Sequence, residues 1–236
     1  SLGCITKRLR ELNWMSCINS VFIWNVLFQI FLNVNWKTVI NNQYSLSFTT
    51  GAALEAETVA IAKLKSNLVD WKDVRADVIE KNTLQARTES TLKKLYGEIS
   101  RRLKHLSDQE LALLISSDEK VQKQIIWLAI CRHYKFISDF AKEVLYEYFE
   151  NSRYQISLDD YDVYFNSKAE WNENLDGVSS LTKSKARQVL FKMMRECQIT
   201  NDNKEILPQQ LNNELRASIL KGDADEIKLF PGEEGF

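Results

Sequence analysis

The stretch Asp118–Phe149, which reads DEKVQKQIIWLAICRHYKFISDFAKEVLYEYF, decides the fold. Apolar residues recur at helical spacing in both of its halves, which predicts one helix over Asp118–His133, capped by Ser117, and another over Phe136–Phe149. The first helix is apolar on several sides, so we expect it to be the central buried helix, with Trp127 as a core anchor. Two adjacent helices of this kind define the core of a helical bundle.

Composition agrees with a helical, soluble protein. The 236 residues include only 7 Gly and 2 Pro, which leaves few turn signals, and the 44% hydrophobic and 27% charged content is ordinary for a globular chain. The four cysteines, Cys4, Cys17, Cys131 and Cys197, form no metal-binding pattern. We expect Cys131 and Cys197 to be buried free thiols, which is typical of a reducing cytoplasm.

Further helices are predicted on both sides of this core. They cover Ala53–Asn67, the segment from an Asp70 cap to Lys81, the segment from a Ser107–Glu110 capping box to Ile115, the segment from a Ser157 cap to Lys168, and a last helix beginning at Pro208. Ser45–Thr50 is predicted to be extended. The expected class is mainly α, a helical bundle in two lobes at 44–150 and 151–222, followed by a loosely ordered acidic tail at 223–236.

Residues 1–43 differ from the rest of the sequence. Basic residues precede the apolar run Val21–Val34, but Asn25, Gln29 and Asn33 form a polar stripe, and the run is shorter than the ~20 apolar residues that a membrane span needs. Three interpretations stay open for this extension: an amphipathic helix, a mistaken start or vector-derived segment, and a membrane anchor.

The stretch Leu84–Lys104, LQARTESTLKKLYGEISRRLK, predicts an amphipathic helix. Its apolar stripe consists of Leu92, Leu95, Tyr96, Ile99 and Leu103. The cations on the opposite side, beside Gly97, are Arg87, Lys93, Lys94, Arg101 and Lys104. Seven Lys and Arg residues stand against two acids between Lys81 and Lys104, so a chain of net charge -1 can still carry a basic face.

The stretch Leu181–Cys197 predicts a second helix of the same kind. Its apolar stripe consists of Ala186, Val189, Leu190, Met193 and Cys197. Its other side carries Ser184, Arg187, Gln188, Phe191, Lys192 and Arg195. The following segment, Ile199–Leu207, has the pattern of a small hairpin. A helix followed by a hairpin resembles a winged helix, in which the recognition helix lies in the major groove, although the loop before this helix is far longer than a helix-turn-helix turn.

Motifs for catalysis, metal binding and nucleotide binding are absent from the sequence. His105 and His133 are the only histidines, and neither has a triad pattern around it. Asp159, Asp160 and Asp162 lack the Gly and Glu of an EF-hand loop and suit a helix N-terminus instead. Trp171, at a loop edge, is predicted to be a second core anchor. We therefore expect a non-enzymatic protein with no cofactor, metal or small-molecule substrate.

Several blocks of sequence, in order, are similar to the BrxA family of the BREX bacteriophage-exclusion systems. They are SLSFTTGAAL (Ser45–Leu54), NTLQART (Asn82–Thr88), IIWLAICRHYKFISDFAKEVL (Ile125–Leu145), YFNSKAEW (Tyr164–Trp171) and KARQVLFKMMREC (Lys185–Cys197). The resemblance covers about Tyr44 to Leu220 and leaves residues 1–43 outside it. It implies a mainly α-helical, non-enzymatic protein that binds DNA alongside a methyltransferase, an ATPase and other subunits.

The residues and the resemblance together favour a cytoplasmic accessory protein that binds double-stranded DNA through phosphate contacts. The expected DNA-binding residues are Arg87, Lys93, Lys94, Arg101, Lys104, Lys183, Ser184, Arg187, Gln188, Lys192 and Arg195. An alternative hypothesis is an adaptor whose basic faces dock other subunits of the defence complex, with the acidic region Asp139–Asp176 as a second dock. A third is a membrane-associated component that uses Val21–Val34.

Overall fold

A computed structural model describes residues 44–68 and 70–233, and Tyr44–Phe236 form one compact unit. The described residues contain the helices α1 (Glu55–Asn67), α2 (Trp71–Lys81), α3 (Glu89–Leu103), α4 (Asp108–Ser116), α5 (Glu119–His133), α6 (Lys135–Phe140), α7 (Glu147–Glu150), α8 (Leu158–Ala169), α9 (Glu173–Asp176), α10 (Ser180–Glu196) and α11 (Asn213–Gly222). A π-helical segment, Ala141–Tyr146, joins α6 to α7, and 3-10 segments lie at Ser47–Thr50 and Ala224–Leu229. No strand occurs in these ranges, so the prediction of a mainly α protein is confirmed.

The helix α5 occupies the centre, as its apolar sequence predicts. It packs against α1, α3, α4, α6 and α10, and every residue from Gln124 to Cys131 is buried. Trp127 is fully buried, and its indole N–H donates to the Leu229 carbonyl at 2.9 Å. The helix is apolar on all sides because neighbours surround it on all sides.

Side-chain caps fix most helix starts. The Asp70 cap, the Ser107–Glu110 capping box and the Ser157 cap are confirmed, because each side chain accepts from a backbone N–H of the first turn. Two predicted starts are wrong. Asp118 rather than Ser117 caps α5, and α11 begins after an Asn212 cap rather than at Pro208. Ser47–Thr50 forms a 3-10 turn instead of an extended segment.

An aromatic cluster spans the predicted lobe boundary near residue 150. The Phe136 ring meets Tyr44 edge-on at 5.6 Å between centroids, and it also contacts Tyr161 at 5.9 Å and Tyr164 at 5.3 Å. Tyr44 is anchored there by its hydroxyl, which donates to Asp139 at 2.7 Å. Such pairs add to the stability that comes from burial. The two sides share this cluster, and the division into two lobes stays a prediction.

The acidic segment after Gly222 is packed, so the prediction of a loosely ordered tail is wrong for residues 223–233. Leu229 and Phe230 are buried, and Glu226 binds Arg132 of α5 with an N–O distance of 2.8 Å. Glu233 accepts from Arg216 at 2.7 Å. The burial of the segment's apolar residues, together with its ion pairs, holds it against the core although its composition is acidic and typical of a loose tail. Within the described ranges, no helix combines the length and apolar character that a membrane crossing requires. Val21–Val34 lies outside those ranges.

Candidate nucleic-acid interface

The helix α10 is fixed in place by its apolar side. Ser179 caps it by accepting from the Thr182 N–H at 3.2 Å, so the helix starts one to two residues before the predicted opening at Leu181 or Thr182. The predicted stripe is confirmed, since Ala186, Val189, Leu190, Met193 and Cys197 are all buried. Near its end, Glu196 accepts from the Ala53 N–H at 2.7 Å. The opposite, polar side of α10 therefore faces outward in a fixed orientation.

The segment after α10 folds back on itself and forms a rigid wall beside the helix. An isolated antiparallel bridge pairs Thr200 with Ile206, and another pairs Gln155 with Glu205. The Asn201 side chain accepts from the Glu205 N–H at 2.9 Å and holds the turn. Lys204 lies in the left-handed region, with φ 61°, as is common for the last residue of a three-residue hairpin loop. Hairpin-like pairing is thus present here, while the resemblance to a winged helix stays a prediction.

A groove of about 370 Å³ lies between α10 and this wall. Five of the six DNA-binding candidates on α10 line it: Ser184, Arg187, Gln188, Lys192 and Arg195. The rest of its lining consists of Leu158, Phe191, Thr200, Asn201, Asp202 and Lys204. Four cations and one acid thus stand among the described residues of the lining, an arrangement complementary to an anionic ligand.

Most of these cations already have an acidic neighbour. Asp162 of α8 pairs with Arg187, and with Lys183 at 3.3 Å. Lys183 also donates to Asn166 at 2.8 Å, and it does not line the groove. Its ammonium group lies over the Phe165 ring at 4.9 Å. Asp162 was expected to support the start of its own helix, but its carboxylate instead neutralises part of the basic side of α10.

The pairs at the other end of the groove are looser. Lys192 lies 3.6 Å from Glu196, and Arg195 lies 3.6 Å from Asp202, whose side chain is 91% exposed. Lys204 has no ion-pair partner among the described residues. Exposed pairs at such distances contribute little to stability. A phosphate can therefore replace the acidic partners of Lys192 and Arg195 at small cost.

A second cavity, of about 600 Å³, shares Lys192, Arg195 and Asp202 with the groove but has a different charge. Its lining includes Glu55, Glu57 and Glu196 as well. Four acids and three cations are therefore among its described lining residues. From the charges of the two linings, an anion is favoured on the groove side of Lys192 and Arg195 over this second cavity.

The second predicted basic face, on α3, is weaker than its sequence indicates. The helix begins at Glu89 after a Thr88 cap, so Leu84 and Arg87 precede the helix instead of belonging to it. Lys93 pairs with Glu89, and Arg101 binds Glu98 at 2.9 Å. The predicted apolar stripe is confirmed, with Leu95 half-buried and the other four members buried.

Three cations of this region have no ion-pair partner in the described residues. They are Arg87, on the turn before the helix, Lys94 and Lys104. Lys104 lies over the Trp71 ring, with its ammonium nitrogen 5.7 Å from the centroid. Gly97 has open space around it, as its place on the polar side predicts. The face is exposed, but acidic neighbours on the same helix neutralise part of its positive charge.

Arg102 has a role that sequence reasoning missed. It is one of the seven cations between Lys81 and Lys104, it was not assigned to the basic face, and its exposed fraction is only 2%. Its Nη1 donates to the Ala52 carbonyl at 2.8 Å, and its Nε donates to Glu98 at 3.0 Å. Burial opposes ionisation of Glu98, but Arg102 and hydrogen bonds from Tyr134 and Arg101 outweigh burial and lower the pKa of Glu98. Arg102 is therefore a structural cation.

The segment Gly51–Ala53 lies between α3 and α10. A Cβ at Gly51 would come within 2.9 Å of Arg102 on one side and 3.6 Å of Met193 on the other. No residue of α3 lines the groove in the described part of the chain. The structure thus gathers the α10 candidates into one groove and leaves the α3 candidates outside it.

Other predicted features are placed as follows. Trp171 is 79% exposed, so its prediction as a core anchor is wrong; it follows the end of α8, beyond the reach of the core. Cys131 and Cys197 are buried free thiols, as predicted. His105 and His133 face each other, with their ring nitrogens 3.1 Å apart. Within the described ranges, no group of three or more potential ligands could hold a metal ion.

The acidic region Asp139–Asp176 contains internal pairs. Asp139 accepts from Tyr44 and Lys135, Glu143 binds Lys168 at 2.6 Å, and Asp160 binds Arg153 at 2.7 Å.

The groove residues missed by sequence reasoning are Leu158, Thr200, Asn201, Asp202 and Lys204. The signal for four of them was the predicted hairpin itself, since a wing beside a helix contributes to the same surface.

Known proteins resemble this chain in sequence and in fold. The model of the BrxA family matches residues 42–222. "BREX protein BrxA" of Bacillus cereus (strain H3081.97) is 25% identical over 165 residues, which cover 68% of this chain and 82% of that protein. "BREX protein BrxA" of Escherichia coli O9:H4 (strain HS) is 23% identical over 146 residues, covering 62% and 68%. The crystal structure of an uncharacterized protein from Magnetospirillum magneticum has the same fold, with a TM-score of 0.69 and 17% identity over 79% of this chain and 97% of that one.

Proposed function

The chain belongs to the BrxA family, and on that premise we propose that it is a non-enzymatic accessory protein of a bacterial BREX phage-defence system that binds double-stranded DNA in the cytoplasm. The observation that carries the proposal is the groove beside α10. Arg187, Lys192, Arg195 and Lys204 line it against a single acid, Asp202, among the described residues. Cations gathered in this way match the phosphates of a DNA backbone.

The chemistry of the groove favours backbone contacts over base reading. Arg and Lys bind phosphate through charge-assisted hydrogen bonds, and Ser184 can add a hydroxyl contact. Gln188 is the one groove residue of α10 with an amide for a base edge, and its oxygen already accepts from Lys185 at 2.9 Å. We therefore expect weak sequence preference and a steep dependence of affinity on salt.

Lys204 adds an available cation to the groove. Its side chain lines the groove and has no ion pair within the described residues. Its ammonium group can therefore bind a phosphate without losing an acidic partner.

The experiment compares charge reversals on the two basic faces by DNA-shift titration at two salt concentrations. Lys192→Glu with Lys204→Glu reverses two groove cations that have no buried partner. The matched control, Lys93→Glu with Lys94→Glu, reverses two exposed cations of α3. We expect the groove variant to weaken binding by about 100-fold or more at low salt and the control to weaken it much less. Undiminished affinity of the groove variant would remove the groove from the DNA site.

A second candidate function, an adaptor for other BREX subunits, is favoured by exposed apolar side chains. Val163, Trp171 and Leu181 are 70%, 79% and 80% exposed. Large apolar side chains at such exposure are typical of protein-interaction sites when they cluster. This function is supported if Trp171→Ser abolishes co-purification of a BREX subunit without changing DNA affinity, and it is contradicted if co-purification is unaffected by changes at all three positions.

A further inference from the structure

The groove beside α10 has a property that phosphate binding does not require, namely an apolar surface between its cations. Phe191 and Leu158 line it together with Arg187 and Arg195. Leu158 is 41% exposed, and Phe191 is half-buried and packed against the core. A sugar-phosphate backbone gains little from aromatic carbon, whereas the flat face of a nucleobase gains stacking energy from it.

The aromatic ring is held rigidly enough to act as a platform. Phe191 lies in the middle of α10. Two nearby residues on the inward side of this helix, Leu190 and Met193, are fully buried. Its facing wall is fixed by two hydrogen bonds between Asn201 and Glu205. The Asn201 N–H donates to the Glu205 carbonyl at 3.0 Å, and the Asn201 side-chain oxygen accepts from the Glu205 N–H at 2.9 Å. The groove is therefore preformed, which reduces the entropy lost on binding.

The shape of the groove also points away from a helix lying in the major groove. A recognition helix has to project from the surface to reach base edges. Here the polar side of α10 is one wall of a concavity of about 370 Å³, a volume within the usual range of small-molecule sites. A concave, partly apolar site of this size fits one nucleotide removed from the base stack better than an intact duplex.

Polar groups stand where such a nucleotide would need them. The amide N–H groups of Gln188 donate to no described residue and can donate to a base edge. Lys192, Arg195 and Lys204 remain available for the flanking phosphates, and the acidic second cavity directs the strand to this side.

We propose that the groove between α10 and the 200–204 turn binds an unpaired DNA nucleotide, its base stacked on Phe191 and its flanking phosphates held by Lys192, Arg195 and Lys204. The proposal rests on the proposed DNA binding and names the form of DNA that the site prefers. Base–aromatic stacking gives a preference of about tenfold for DNA with an unpaired nucleotide over fully paired DNA.

The test measures fluorescence anisotropy with two 20-base-pair duplexes, one fully paired and one carrying a single unpaired 2-aminopurine in mid-duplex. The wild type should prefer the second duplex about tenfold and should raise its 2-aminopurine fluorescence, because a base removed from the duplex stack is no longer quenched by its neighbouring bases. Phe191→Leu, which keeps an apolar side chain against the core, should abolish both the preference and the fluorescence rise, and Phe191→Tyr should retain the preference. The ratio of the two affinities is the readout, so a general weakening does not imitate the effect.

Trp171→Leu is the matched control, because it removes an exposed aromatic ring outside the groove; the preference should survive it. Equal affinity of the wild type for both duplexes, or a preference that Phe191→Leu leaves intact, would overturn the stacking site while leaving the proposed function in place. Failure to bind either duplex at low salt would instead overturn the proposed function, and the stacking site with it.

Discussion

Replacement of Arg132 by methionine should destabilise the fold, because it leaves two carboxylates without their cation. Arg132 binds Glu110 at 2.7 Å and Glu226 at 2.8 Å, and thereby joins α4, α5 and the C-terminal segment. The Glu110 side chain is 1% exposed, whereas Glu226 is 15% exposed. Removal of one partner of a buried pair costs about 3–5 kcal/mol.

The lower end of that range applies here. Glu110 keeps a hydrogen bond from the Ser107 N–H at 2.8 Å and one from the Ser218 hydroxyl at 3.2 Å, and Glu226 can turn toward water. We expect a loss of roughly 3 kcal/mol in the free energy of unfolding at pH 7. With a urea m-value of roughly 2–3 kcal/mol/M, the unfolding midpoint should fall by about 1–1.5 M.

The pH dependence of this loss has a defined sign. In the wild type, burial opposes ionisation of Glu110, but hydrogen bonds from Arg132 and Ser107 outweigh burial and lower its pKa. That contribution is present above the ordinary glutamate pKa and is lost as the pH falls through the folded-state value. Without Arg132, burial raises the pKa of Glu110, so the penalty is largest at neutral pH and shrinks by about 1.4 kcal/mol per pH unit below the raised value.

Urea unfolding followed by far-ultraviolet circular dichroism at pH 7 and pH 5 checks both statements. The double variant Arg132→Met with Glu110→Gln is the control, and it should recover part of the lost stability at pH 7 because no buried charge remains there. A midpoint shift below about 0.5 M at pH 7, or a penalty equal at both pH values, would refute the reasoning.

Three further predictions concern charged and titratable groups. Asp162→Asn frees Arg187 and Lys183 and should raise DNA affinity about fivefold at low salt in a titration, whereas Asp159→Asn, earlier on the same helix, should not. Burial lowers the pKa of both histidines, and a neighbouring cation adds to this effect: Arg132 beside His105, and His105 beside His133. The stability that is present above about pH 6.5 should therefore be lost as the pH falls. Urea unfolding should show a smaller loss in the His105→Gln/His133→Gln variant. Burial raises the pKa of Cys131 and Cys197, so in a Cys4→Ser/Cys17→Ser background neither should react with maleimide, by mass spectrometry, until urea unfolds the chain.

Helical periodicity was sufficient to predict most of the fold. The buried sides of α3, α5 and α10 follow from apolar spacing alone, because a regular helix turns every fourth residue to the same neighbour. Helix starts with a Ser or Asp cap were predictable for the same local reason. Starts were missed where two cap-forming residues stand together, as at Ser117 and Asp118.

Properties that depend on distant residues could not be predicted from the sequence. Arg102 is buried because the Ala52 carbonyl, 50 positions away, accepts its hydrogen bond. Part of the α10 charge is neutralised by Asp162, which local sequence assigned to the start of its own helix. The acidic tail packs because Trp127 and Arg132 provide partners for it, about a hundred positions earlier in the chain.

The candidate site was half predictable. The helical spacing of the polar residues in α10 identified one wall of the groove, since the polar side of a surface helix has to face outward. The other wall comes from Leu158 and the 200–204 turn, whose proximity depends on the pairing of Gln155 with Glu205. Whether the α3 and α10 faces form one surface could not be predicted from the sequence, and the lining of the groove includes no residue of α3 within the described ranges.

The salt dependence of DNA affinity tests the central claim most directly. Equilibrium binding of a 20-base-pair duplex is measured between 50 and 300 mM salt for the wild type and for Lys192→Gln with Lys204→Gln. Four groove cations predict a slope of log K against log salt of about -3.6, and removal of two predicts about -1.8. Absence of binding by the wild type at 50 mM salt, or the same slope in both proteins, would contradict DNA binding through this groove.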